Sequence, residues 1–463
     1  MNNELNFSRR QFLRQSALGF GSLALASLCT QSAQATASPL VSPLAPRFPQ
    51  FNGTAKRIIF LYMWGGPSQM DLFDPKPRLN VDNGKMGDEK RKRAFKGSPF
   101  KFEKHGQSGL EISEVLPFLS QHADDLCFIR SMQTDSANHS NASLCLHTGS
   151  ANFVRPSVGS WVVYGLGSEN ESLPGFITIR PMRSLGSRLH SNAFLPAVCQ
   201  GTAVGHDGVS AKQATIRYLR NADQSMAQQR TQLELVQALN RDFQGRTAVN
   251  PEMEGLIQSF ELAFRMQTEA PKFFDLSDEP QSVLKMYGAD KEPTAEYARQ
   301  CILARRFAEA GVRFIQVNNS GWDHHGNIDN GLPKSSAQVD QPIAALLSDL
   351  KMRGMLKDTL VLFGGEFGRT ATAEGEGEKA GRDHNADAFT VWLAGGGVRG
   401  GFAHGMTDEH GAKAVQDRVH VHDLHATILH LMGLNHEKLT YRYAGRDFRL
   451  TDVYGNVVKE VLA

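Results

Sequence analysis

The chain has no Cys-x-x-Cys pair, no apolar run of membrane-spanning length and no marked excess of either charge, and each absence removes a class of function. Five cysteines in 463 residues exclude a thiolate zinc site by spacing and make a disulfide framework a poor account of so long a chain. With 50 basic and 48 acidic residues there is no surplus for nucleic acid or an anionic membrane surface. The mild apolar stretch from Ala17 to Leu28 is too short for a comfortable span. What is there, 41% hydrophobic and 21% charged residues with 43 glycines, describes a globular chain with many tight loops. Its length suits one large α/β domain or two domains.

The N-terminus reads as a targeting segment. Ser8-Arg9-Arg10-Gln11-Phe12-Leu13-Arg14, the apolar stretch and Ala33-Gln34-Ala35 follow one another as a twin-arginine signal with a small-residue cleavage site. Cys29 raises a lipid anchor, but Leu28 before it fits poorly. Residues 1–35 are therefore expected to be a signal peptide, and residues 36–55, with four prolines, a linker. Removing the signal leaves a formally neutral chain with Cys127, Cys145, Cys199 and Cys301. The expected location is periplasmic or secreted, reached by the twin-arginine machinery, a route for proteins that fold before crossing.

From residue 56 to 463 one unit recurs: a helix, an apolar strand, then a loop rich in Gly and acid. Ile58 to Met63 carries no charge, as in a parallel strand covered on both faces, and Gly65 and Gly66 break it. Further strands are expected at Leu126–Ser131, Phe176–Ile179, Val312–Val317, Thr359–Phe363 and Phe389–Ala394, with a helix over Ser113–His122. Between about residues 182 and 290 the pattern turns to long helices, read as a helical insertion. The recurring unit indicates a mostly parallel sheet with its site beyond the strand ends.

The loops after separate strands carry Asp71 and Asp74, His139, Asp323 with His324 and His325, Glu366, and Asp383 with His384. Carboxylate and imidazole without thiolate suit one or two divalent ions, zinc or manganese, or calcium where carboxylates dominate. Each group alone also reads as a helix cap or turn residue; repetition after several strand ends favours the metal. The histidines around the last helix, His420, His422, His425 and His430, read as structural, and the basic run Lys90 to Arg93 as a solvated face.

The motifs GGPSQMDLFDPKP, NHSNASLCLHTG, GWDHHGN, GGEFGRT and GRDHN, with the twin-arginine leader, resemble the exported proteins grouped as domain of unknown function 1501, a family similar to the alkaline phosphatase and sulfatase superfamily. The resemblance implies an alkaline phosphatase-like three-layer α/β sandwich with a mostly parallel central sheet. It also implies a metal-dependent hydrolase of phosphate or sulfate esters, acting on a small-molecule or glycan ester. One ion would be held by Asp323, His325 and His384, with His324 a rival to His325. A second would be held by Asp71, with Asp74 its rival, Glu366, and either His139 or Asp383. His139 stands where the family's relatives carry a Cys or Ser nucleophile, with Ser140 beside it, so a formylglycine is excluded at that register. Arg369 would bind an anionic oxygen or anchor Glu366 through a salt bridge. The rival reading is an exported binding protein that keeps the fold without turnover.

Overall fold

The computed structural model describes residues 44–221, 223–244 and 251–463. The expected signal peptide and the linker residues up to 43 lie outside the described residues. The apolar runs form the strands of one main sheet: β1 (Arg57–Met63), β2 (Leu126–Gln133), β3 (Phe176–Ile179), β4 (Thr202–Val204), β5 (Phe314–Asn319) and β6 (Thr359–Gly364). A hairpin of β7 (Gly368–Glu374) and β8 (Gly381–Asn385) stands apart from the sheet, which resumes with β9 (Phe389–Ala394), β10 (Phe402–His404) and β11 (Val419–His420). The order is β10-β2-β9-β6-β1-β5-β3-β4, with β11 also on β2. Only β9 runs antiparallel to its neighbours.

β1 lies between β6 and β5, in register Tyr62 to Gly364 and Met63 to Asn319. Its side chains alternate between two cores. Ile59, Leu61 and Met63 pack in one core with Ile302 and Leu346, from helices α6 (Ala295–Glu309) and α7 (Ile328–Met352). Ile58, Phe60 and Tyr62 pack in the other with Trp161 and Ile428, from α2 (Val158–Leu166) and α8 (Val421–Leu431). Helices on both faces of a mostly parallel sheet make a three-layer α/β sandwich. Each fully buried β1 side chain contributes about 1.5–3 kcal/mol as an upper estimate.

Three local expectations differ from the structure. The stretch read as a helical insertion also supplies the short strand β4 at the sheet edge, before the long helices α3 (Met226–Gln244) and α4 (Pro251–Phe274) and the short α5 (Gln281–Tyr287). The segment read as a helix over Ser113–His122 is a strand at Leu110–Ser113 and a 3-10 helix at Leu119–Asp125. The sequence pattern places a helix over Val339–Lys351, whereas α7 already starts at Ile328 and holds Pro333 and Pro342 within it. Among the described residues no helix is long and apolar enough to cross a membrane.

Candidate metal centre

Three segments bring four side chains together beyond the strand ends. Asp323 and His325 follow β5, His384 lies on β8, and His139 opens helix α1 (His139–Thr148) after β2. Asn138 caps α1: its side-chain oxygen accepts the N–H of Ser140 at 3.0 Å, which fixes how the first turn leaves the strand. After β1 the chain must pass against the Asp323 backbone. A Cβ on Gly65, at φ +118°, would stand 2.5 Å from the Asp323 nitrogen, so only glycine fits. Pairing of Arg369 with His384 fixes the imidazole's place on the hairpin, opposite the arginine that holds Asp323.

The hydrogen bonds of the three imidazoles define their chemistry. His384 Nδ1 lies 2.8 Å from the Ala137 carbonyl, which can only accept, so Nδ1 carries the proton. His325 Nδ1 faces Glu374 Oε2 at 2.5 Å, and His139 Nδ1 faces Glu366 Oε1 at 2.6 Å. With each Nδ1–H donated outward, three Nε2 lone pairs point inward. His325 Nε2 and His384 Nε2 are 2.9 Å apart. Asp323 Oδ1 lies 3.0 Å from the first and 3.2 Å from the second. Asp323 Oδ2 lies 3.1 Å from His139 Nε2, a buried atom with no hydrogen-bond partner.

Lone pairs and a carboxylate at such distances repel unless protons or a cation stand between them. Ligands around a tetrahedral ion with bonds near 2.1 Å lie about 3.4 Å apart, a few tenths of an ångström beyond the spacing seen. Imidazoles held through Nδ1 by carboxylate or carbonyl partners are also the arrangement that orients metal-binding histidines. The residues therefore fit a divalent ion of the zinc or manganese type better than calcium, since nitrogen outnumbers oxygen. The site is partly open: the His325 side chain is 40% exposed and that of Asp323 30%.

The supports of this cluster are buried. Glu366, fully buried, also accepts the Gly65 N–H at 2.9 Å and the Tyr62 hydroxyl at 3.1 Å. Arg369, fully buried, donates to the carbonyls of Gly66, Arg382, Gly65 and Trp322 and to Asp323 Oδ1 at 2.6 Å. Nε and Nη1 each make one of these bonds and Nη2 shares the other three. Partial burial works against a charged His139, yet the neighbouring carboxylates of Asp323 and Glu366 outweigh it and push its pKa up to about 9. Burial alone would raise Asp323, but His139, His384 and Arg369 hold it far below the carboxylate range.

Thus Asp323, His325, His384 and His139 come together, and other expected site residues do not join them. Asp71 is closed by Arg382, Nε to Oδ2 at 2.7 Å and Nη2 to Oδ1 at 3.1 Å, both side chains fully buried. Asp74 accepts from Thr407 at 2.5 Å and pairs with Lys76 at 3.0 Å. The second ion expected on Asp71 and Glu366 is therefore not assembled, because guanidinium, amide and hydroxyl donors take those carboxylates. Ser140 is exposed at the head of α1 and outside the cluster. Arg369 is fully buried, and its salt bridge goes to Asp323, where Glu366 was expected. His324 is buried against Ser335 at 3.3 Å, and burial pulls its pKa down to about 4. Asp383 sits one layer out, accepting the His384 N–H at 2.8 Å. His420, with Asp423, forms the capping box of α8. Sequence reasoning missed Glu374 and the Ala137 carbonyl: Glu374 looks like Glu376 and Glu378 beside it, and a carbonyl leaves no mark in sequence.

Residues 55–462 match the family described as protein of unknown function (DUF1501), and the chain belongs to it. No curated protein matches the chain. Solved structures similar to it include the lipoteichoic acid synthase LtaP from Listeria monocytogenes, at 9% identity over 87% of this chain and 76% of that chain with a TM-score of 0.36. They include the PsFucS1 sulfatase from Pseudoalteromonas sp., at 13% identity over 83% and 68% with a TM-score of 0.34. They also include the alkaline phosphatase from the Antarctic bacterium TAB5, at 12% identity over 82% and 98% with a TM-score of 0.30.

Proposed function

We propose that this is an exported, metal-dependent hydrolase of phosphate or sulfate esters. The observation that carries the metal is the convergence of three Nε2 lone pairs on Asp323 in a partly open site. The motif resemblance directs the reaction to such esters, and the leader around Arg9 and Arg10 supports export by the twin-arginine route. His139, Asp323, His325 and His384 would hold the ion. The chemistry such an ion supplies is Lewis acidity toward an ester oxygen and toward water.

The chain's own residues then have separable tasks. Glu366, Glu374 and the Ala137 carbonyl fix the three rings in the tautomer that turns Nε2 inward. Arg369 holds Asp323 in place. Phe367 lies against His139 and His384, with ring centroids 4.8 and 4.4 Å away, and Trp64 covers the other side of His139 at 4.9 Å. These rings keep water from the inner side of the ligands. With Ser140 outside the cluster and His139 committed as a ligand, the attacking group is water, and no covalent ester forms on the protein.

A second reading has its own support: Ser140 lies outside the cluster and Arg369 is fully buried against Asp323, as in an exported metal-binding protein without turnover. Assay of the mature protein on aryl phosphates and aryl sulfates, before and after chelation, separates the two. Turnover that chelator removes and added metal restores supports the hydrolase. A stoichiometric ion without turnover on either ester class supports the binding protein.

A further inference from the structure

The basic run Lys90 to Arg93, which reads as a solvated face in the sequence, reaches the metal cluster's outer layer. His325, Glu374 and Asp383 offer ligand atoms within 4.8 Å of one another and form a second group that could hold a cation, sharing His325 with the first. A cation of another kind already spans its carboxylates. Arg93 Nη1 donates to Asp383 Oδ2 at 2.6 Å and Nη2 to Glu374 Oε1 at 3.2 Å. Arg91 Nη1 adds a bond to the same Asp383 oxygen at 3.0 Å.

Delivery of Arg93 is structural. It lies on a two-stranded hairpin, Met86–Asp88 with Arg93–Ala94, and the next residue, Phe95, bridges Thr372 on β7 and stacks on His410 at 4.2 Å. The guanidinium therefore comes from outside the hairpin that carries Glu374 and Asp383 and ties its two strands together. Its planar fork suits two carboxylates at once, which a lysine could meet only as a point charge.

We propose that Arg93 stands in for a second metal ion, so that the centre takes one divalent cation and the His325–Glu374–Asp383 group stays closed to another; this rests on the ion proposed above. A metal there would need the Glu374 and Asp383 oxygens that Arg93 already occupies. Arg93 neutralises the carboxylates and leaves Glu374 Oε2 against His325 Nδ1, which keeps His325 Nε2 facing Asp323. Arg93 is thus a positioning residue that acts through Glu374 and Asp383.

The test is the zinc content of the whole mature protein after loading at tenfold excess and desalting, read by mass spectrometry, for wild type, Arg93→Lys and Arg91→Met/Arg93→Met. The expected result is one ion per chain in wild type and Arg93→Lys and two in the double variant, whose removed charges open the second group. Two ions in wild type overturn the inference and leave the metal reading intact. One ion in a folded double variant, bound as tightly as in wild type, also overturns it. No ion in wild type overturns the metal reading itself and this inference with it. Should the double variant fail to fold, the wild-type stoichiometry alone decides between one cation and two.

Discussion

Single residues carry the account through what their donors are already doing. Glu366 appears to one side of the cluster yet decides it, since its carboxylate turns His139 while accepting from Gly65 and Tyr62. Glu366→Gln keeps the shape and removes the charge; metal affinity measured against a competing chelator should fall about 10–100-fold, the usual effect of losing an orienting partner. Asp71 and Arg369 are predicted to behave differently, as parts of the scaffold. Asp71→Asn leaves Arg382 buried without its counter-charge and should cost about 3–5 kcal/mol in urea unfolding, with the metal content of the folded protein unchanged. Loss of the ion at unchanged stability would return Asp71 to the ligand set. Arg369 is equally buried and bonded to backbone carbonyls, so Arg369→Lys should lower stability; a rise in KM alone would show it to be a substrate contact after all.

At the scale of elements, the strands were legible because six consecutive apolar residues such as Ile58 to Met63 have no other stable placement than the inside of a sheet. Phe176–Ile179 and Phe389–Ala394 fall where the apolar runs put them. The short β4 was not legible: Thr202-Ala203-Val204 is a weak strand signal that becomes one by pairing with β3. Nor could the sequence rank its acids. Asp71 and Asp323 both follow a buried strand, and only the fold reveals that Arg382 reaches the first while three imidazoles reach the second. The β1–α1 side of the site depends on one backbone passage. Gly65→Ala would place its Cβ 2.5 Å from the Asp323 nitrogen at a strained φ, and the expected outcome is a loss of about 1–3 kcal/mol with weakened metal binding. Thermal unfolding and chelator competition on the same variant check both halves.

The whole molecule carries a pH dependence of its own, away from the metal cluster. Burial holds His147 and His190 down to about 4 and His425 to about 3. The folded state therefore binds fewer protons than the unfolded state below the ordinary histidine value near 6.5. The sign follows: these rings contribute stability above pH 6.5, and that contribution is lost as pH falls toward 4. Between pH 6.5 and 5 each ring gives up at most about 2 kcal/mol. Urea midpoints in chelator should drop steeply over that interval, before ordinary carboxylates titrate; a flat profile would mean that these rings gain partners on protonation. The same sandwich that buries them sets the strand ends side by side, and that placement gathers ligands from segments as distant as His139 and His384.

The most direct test is the divalent metal content of the purified mature protein and of its Asp323→Ala and His384→Ala variants. The account predicts one ion per chain in the first and its loss in both folded variants. A wild-type protein without a stoichiometric ion, or variants that keep theirs, would contradict it.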